Sequence, residues 1–157
     1  MEYKKNGFTL VELIMVMVII GILAAVSVPR FADIARQSEV PSEQGRLINL
    51  VAALATYSQG TFIENGVMSW PDNPFDALNK VPQQYDKTQS TLMVEMDDSD
   101  WIFTGEASND YKNSIVHRRK EDSLAVWTYN KTNGDIGYSN PPYQPTQVVY
   151  RPDLQGQ

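Results

Sequence analysis

From Phe8 to Val28 the chain runs for twenty-one residues in which only Thr9, Glu12, Gly21 and Ser27 interrupt apolar side chains. As an α-helix that stretch is roughly 31 Å long, close to the ~30 Å hydrocarbon core of a bilayer. Lys4 and Lys5 precede it; Arg30 and an acidic remainder follow it. The lysines favour a cytoplasmic N-terminus, with the bulk of the chain outside, although Arg30 weakens that bias. The anomaly is Glu12, a carboxylate set inside the run.

Two ordinary readings leave Glu12 unexplained. A secretory signal has a shorter apolar stretch and then a small-residue cleavage site, which Ala24, Ala25 and Ser27 imitate. A plain membrane anchor accounts for the length and for nothing else. The third reading rests on "NGFTLVELIMVMVIIGILAAVSVPRF", residues 6–31. This segment closely resembles the N-terminus of type IV pilins and of the related pseudopilins of type II secretion.

The resemblance implies a short charged leader, residues 1–7, cut after Gly7 by a prepilin peptidase. Phe8 then becomes the N-methylated new terminus. Glu12 matches the glutamate five places into the mature chain, and Pro29 matches the proline that follows the apolar half-helix. The dense match covers about 25 of the 157 residues. The physical reading of Glu12 agrees with it. Four residues separate Phe8 from Glu12, about 6 Å along a helix. In a lone subunit the carboxylate can snorkel toward the headgroups, at less than the ~2.5–3.5 kcal/mol of a charge at the helix centre. Packed among other helices it needs a cation. Cleavage creates one, the α-amine of Phe8, with a reference pKa near 8. In the family's usual model the partner is the amine of an adjacent subunit, so cleavage acts as an assembly switch.

Beyond Pro29 a helical pattern continues over about residues 30–64. Leu47, Leu50, Val51, Leu54 and Ser58 recur at the spacing of one helix face. Pro41 and Gly45 predict a kink or short break near residues 38–42. An amphipathic face of this kind has to be buried against something, and a sheet is expected next. Residues 66–86 read as a packed loop anchored by Trp70, Phe75, Leu78 and Tyr85. Strands are predicted at 91–96, 100–105, 123–130, 135–139 and 146–151, with Asn133-Gly134 as a hairpin signal. The C-terminal stretch, rich in proline, is expected to end as irregular chain over the sheet. The fold class is therefore α+β and pilin-like: a long N-terminal helix, apolar then amphipathic, packed on an antiparallel sheet. Its parts are a leader (1–7), a transmembrane and polymerisation helix (8–29) and a periplasmic or extracellular head (30–157).

The net charge of −6 argues against a general nucleic-acid binder, and the lack of cysteine excludes disulfides and thiolate metal sites. His117, the single histidine, lies in "HRRKED", which reads as a solvated turn or strand edge. Neither catalysis nor DNA binding is expected there. Asp97, Asp98 and Asp100 supply oxygen ligands of the kind calcium prefers, but the EF-hand glycine and terminal glutamate are missing. Calcium in the head is implied only by resemblance to the major secretion pseudopilins. The competing reading, an acidic turn kept for solubility, is favoured. No cofactor is otherwise expected, and nothing suggests an enzyme.

The expected function is that of a structural subunit, polymerised through its N-terminal helix into a type IV pilus or a type II secretion pseudopilus. The resemblance implies as partners the peptidase/N-methyltransferase, an inner-membrane assembly platform, other copies of the chain and minor pilins. The alternative is a membrane-anchored, non-polymerising periplasmic binding module, which would have no use for Gly7 or Glu12. Gly21 and Pro29 weaken the helix between them, which lipid would still hold helical. The resemblance to pilins whose filaments unwind in the corresponding stretch implies that residues 21–29 melt in part on assembly.

Overall fold

The computed structural model describes residues 8–88, 96–106, 108, 111–137 and 143–151. Two compact units divide the chain, Met1–Ser38 and Glu39–Gln157. The first secondary-structure element, α1, spans Leu10–Asn65. Helical structure is continuous through residues 38–42, so the break expected there is absent. Pro41 forfeits a single backbone donor, and the turns on either side retain theirs. The helix stops at Gly66, whose φ of 72° is in the left-handed region and whose N–H bonds the Phe62 carbonyl at 2.9 Å. That is the ordinary glycine termination of a helix.

In the first unit, Leu10–Val28 has a mean hydropathy of 2.7 and is long and apolar enough to cross a membrane. Phe8 through Val26 are all exposed. A helix apolar on every side and exposed among the described residues is suited to lipid or to other helices.

The second unit holds the core. On α1, Leu47, Leu50, Leu54 and Ser58 are buried as the spacing predicts, and Val51 is half-buried. The stripe also reaches one turn further back, to Glu43, which is 2% exposed. A loop follows in which Phe75 is buried within a short 3₁₀ turn, Pro74–Ala77, and stacks on Tyr85 at 4.0 Å. Trp70 and Leu78 pack partly buried beside it, as expected of a loop anchored by aromatics.

The sheet is antiparallel: β1 (Trp101–Thr104), β2 (Ser114–Arg119), β3 (Ser123–Asn130), β4 (Asp135–Ile136) and β5 (Gln147–Tyr150). Its order is β1-β2-β3-β4, and β5 pairs the first half of β3 on the edge whose second half pairs β4. One face of the sheet carries Trp101, Phe103, Ile115, Ala125, Trp127 and Tyr129, in one cluster with the three leucines of α1. The other carries Ile102, Val116, Leu124 and Val126, covered by Met96 and Tyr111. The α+β arrangement read from the sequence is the one observed.

Strand β2 is the main departure. Residues 117–119 are its second half, and His117 and Arg118 are buried rather than solvated. The strand lies between β1 and β3 with both faces covered, so it lacks the alternation of a half-exposed strand. Its polar residues are inside because they are paired there. The Asn133-Gly134 turn joins β3 to β4 as expected, although as a four-residue loop, since Asn130 pairs Asp135. The strand predicted at 91–96 lies outside the described residues except for Met96.

Candidate functional site

The N-terminal site is built by the first turn of α1. Thr9 precedes the first helical residue, and its carbonyl accepts the first intrahelical bond, from Leu13 N–H at 3.2 Å. The Thr9 N–H donates to Glu12 Oε2 at 2.9 Å, and the Thr9 hydroxyl donates to the same oxygen at 2.8 Å. In return the Glu12 N–H approaches Thr9 Oγ1 at 3.3 Å. This reciprocal arrangement is a capping box, which satisfies backbone donors that a helix start otherwise leaves unpaired. The Glu12 carboxylate is thus held against the start of its own helix in the isolated chain. Thr9 was missed by sequence reasoning although the signal was present, as Thr9-Leu10-Val11-Glu12 has the capping-box spacing. Phe8 stands immediately before the cap, 81% exposed. Gly7 lies outside the described residues. Gly21 and Pro29 both sit in continuous helix.

The head contains a second polar constellation, which joins α1 to β2. Glu43 Oε1 accepts from Arg119 Nε at 2.7 Å, and Glu43 Oε2 from Arg119 Nη2 at 2.6 Å, a bidentate fork. Glu43 Oε1 also lies 2.7 Å from His117 Nδ1, which must donate to an ionised carboxylate. The His117 ring stacks on Trp101 with centroids 4.3 Å apart. Burial by itself would raise the Glu43 carboxyl, but the hydrogen bonds and charges of Arg119 and His117 outweigh it and hold the group below its ordinary value. The hydrogen bond from Arg119 to Glu43 likewise raises the guanidinium. His117 therefore acts as a structural link between helix and sheet. Glu43 could have been found by extending the Leu47–Leu50–Leu54 stripe back by four residues.

Asp97, Asp98 and Asp100 form a tight turn. The Asp97 N–H donates to Asp100 Oδ2 at 2.8 Å, while Asp98 faces Arg118 at 3.6 Å. Burial pushes the Asp100 carboxyl up. Among the described residues no group of three or more His, Cys, Asp or Glu side chains is gathered as a metal site.

The family described as the prokaryotic N-terminal methylation motif matches residues 3–28. A fimbrial protein of Pseudomonas aeruginosa is 35% identical over 91 residues, 57% of this chain and 53% of that one. A type IV major pilin protein of Neisseria gonorrhoeae is 33% identical over 128 residues, 81% of this chain and 54% of its own length. A type II secretion system core protein G of Pseudomonas aeruginosa is 39% identical over 59 residues, 38% of this chain and 42% of that protein. The chain spans about half the length of these curated relatives. No solved structure matches it significantly.

Proposed function

We propose, on the premise that this chain belongs to the type IV pilin and pseudopilin family, that it is a structural prepilin assembled into a filament through its N-terminal helix. The leader is removed after Gly7, Phe8 is N-methylated, and the freed Phe8 amine of one subunit pairs with Glu12 of its neighbour. The observation that carries this reading is the methylation motif over residues 3–28, with Glu12 at the head of an uncovered apolar helix. A membrane-anchored, non-polymerising binding module would need the apolar helix but has no use for Gly7 or Glu12.

Before assembly the chain sits in the inner membrane, its N-terminus cytoplasmic and its head periplasmic. The prepilin peptidase/N-methyltransferase and an inner-membrane assembly platform act on it there. Its function is non-enzymatic. A pilus, rather than a secretion pseudopilus, is favoured by the longer alignments to a fimbrial protein and a major pilin, which run well into the head. The secretion-protein match is the shorter one.

The test is the intact mass of the membrane-extracted protein from its native host. Loss of Met1–Gly7 with gain of one methyl group is expected. Gly7→Leu should accumulate as full-length precursor without filaments. An uncut leader in the wild-type protein would rule the proposal out.

A further inference from the structure

The chain carries a single Asn-x-Ser/Thr triplet, Asn130-Lys131-Thr132. Such a triplet is the acceptor pattern for N-linked sugar, which needs an exposed segment of an exported protein. Three residues make a short pattern, so its placement matters more than its presence. Asn130 is the last residue of β3, and Lys131 and Thr132 open the loop to β4. All three are exposed.

Their side chains are committed unequally. Lys131 Nζ donates to Asp72 Oδ1 at 3.2 Å. Asn130 Oδ1 accepts from the Thr132 N–H at 2.9 Å, which forms an Asx turn. Among the described residues neither Asn130 Nδ2 nor the Thr132 hydroxyl has a hydrogen-bond partner. An Asx turn by itself braces a hairpin, but its donor is a backbone N–H, so bracing does not call for threonine two places on. The donor on Oδ1 also draws electron density toward oxygen, eases loss of a proton from Nδ2 and leaves that nitrogen uncommitted. Beside the triplet lies an open groove of about 590 Å³, lined also by Glu106, Lys112, Asn113 and Thr128. Its mixed donors and acceptors suit the hydroxyls of a sugar attached at Asn130.

We propose that Asn130 is a glycosylation site, whose Nδ2 takes a glycosyl group from a phosphate-activated sugar on a transferase that reads the Thr132 hydroxyl. Nδ2 bonds to the anomeric carbon as the bond from that carbon to the phosphate oxygen breaks. The electron pair leaves on the phosphate, and the Nδ2 proton passes to a base of the transferase. Nothing is oxidised or reduced. A lipid-linked oligosaccharide and a nucleotide sugar both offer this sugar–phosphate bond. The inference does not depend on polymerisation.

The experiment uses full-length protein extracted from its native host. After trypsin digestion, the peptide containing Asn130 is read by tandem mass spectrometry. It should carry an added glycan that fragments from Asn130. One fixed oligosaccharide mass would mark a lipid-linked donor, and a ladder of single-sugar steps a nucleotide sugar. Asn130→Gln should lose the modification, although it also removes the Asx turn. Thr132→Ala keeps the backbone donor of that turn, so it should fold and still lose the glycan, and Thr132→Ser should retain it. A wild-type peptide found only unmodified, or undiminished occupancy in Thr132→Ala, would overturn the inference.

Discussion

Glu12 and Glu43 are both carboxylates at positions where a hydrophobic residue would be expected, and each is kept by its partners. For Glu12 the partners in the lone chain are the Thr9 backbone and hydroxyl. Assembly, on the proposed mechanism, adds or substitutes the Phe8 amine of a neighbour. Glu12→Leu should therefore insert into membranes as well as the wild type or better, since it removes a polar cost. It should abolish or sharply reduce filament yield, scored by shearing and immunoblot; undiminished filaments would contradict the pairing. For Glu43 the partners are Arg119 and His117, and removing a partner from a buried ion pair costs roughly 3–5 kcal/mol. Because Arg119 retains some exposure, Glu43→Gln should lie near the lower end, read from urea unfolding of the full chain. The pH dependence has a definite sign. The folded carboxyl titrates below its ordinary value of 4.5, so its contribution is complete above that pH. It is lost as pH falls through the lower folded value, and Glu43→Gln should flatten that acid limb of the stability curve.

At the level of elements, the β3–β4 hairpin and the loop after α1 are fitted to each other at one residue. Gly134 has φ of 77°, which glycine tolerates and side-chain-bearing residues adopt at a cost of roughly 1–2 kcal/mol. A Cβ there would also fall 2.2 Å from Trp70 Nε1, so the indole lies directly on the glycine. Gly134→Ala should destabilise the head by about 2–4 kcal/mol, the sum of backbone strain and overpacking. In a Trp70→Ala background the same change should cost only the backbone share of about 1–2 kcal/mol. Equal costs in both backgrounds would show that the indole moves aside freely. The turn itself was legible, since Asn-Gly after an aromatic-rich strand is a hairpin signal. The stacking of Trp70 on it was not, because 64 positions separate the two residues and no local pattern links them.

For the molecule as a whole, the Met1–Ser38 and Glu39–Gln157 units differ in kind, one carrying an exposed apolar helix, the other burying a core of its own. The proposed transition between membrane and filament falls in the first. Residues 21–29 are helical in the isolated chain. Gly21 lowers helix propensity by about 1 kcal/mol relative to alanine, and Pro29 has no N–H to give the Ala25 carbonyl. On leaving lipid for a filament, this stretch is expected to unwind in part and lengthen the subunit. Gly21→Ala with Pro29→Ala should give stiffer or fewer filaments under optical-trap extension. A filament map with unbroken helix from Phe8 through Phe31 would contradict the expectation. The sequence alone determined the apolar span, the amphipathic stripe of α1, the packed aromatic loop and most of the strands. Each is written in residues close together in the chain, whose periodicity or turn chemistry acts locally. It also carried the T-x-x-E cap, which the structure forms, and the Gly-Phe junction on which the proposed cleavage rests. Only the tertiary structure decided that β2 is an inner strand and that His117 and Arg119 converge on Glu43. Their burial is stabilised by partners tens of residues away, and polar side chains read as solvent-facing until those partners are in place.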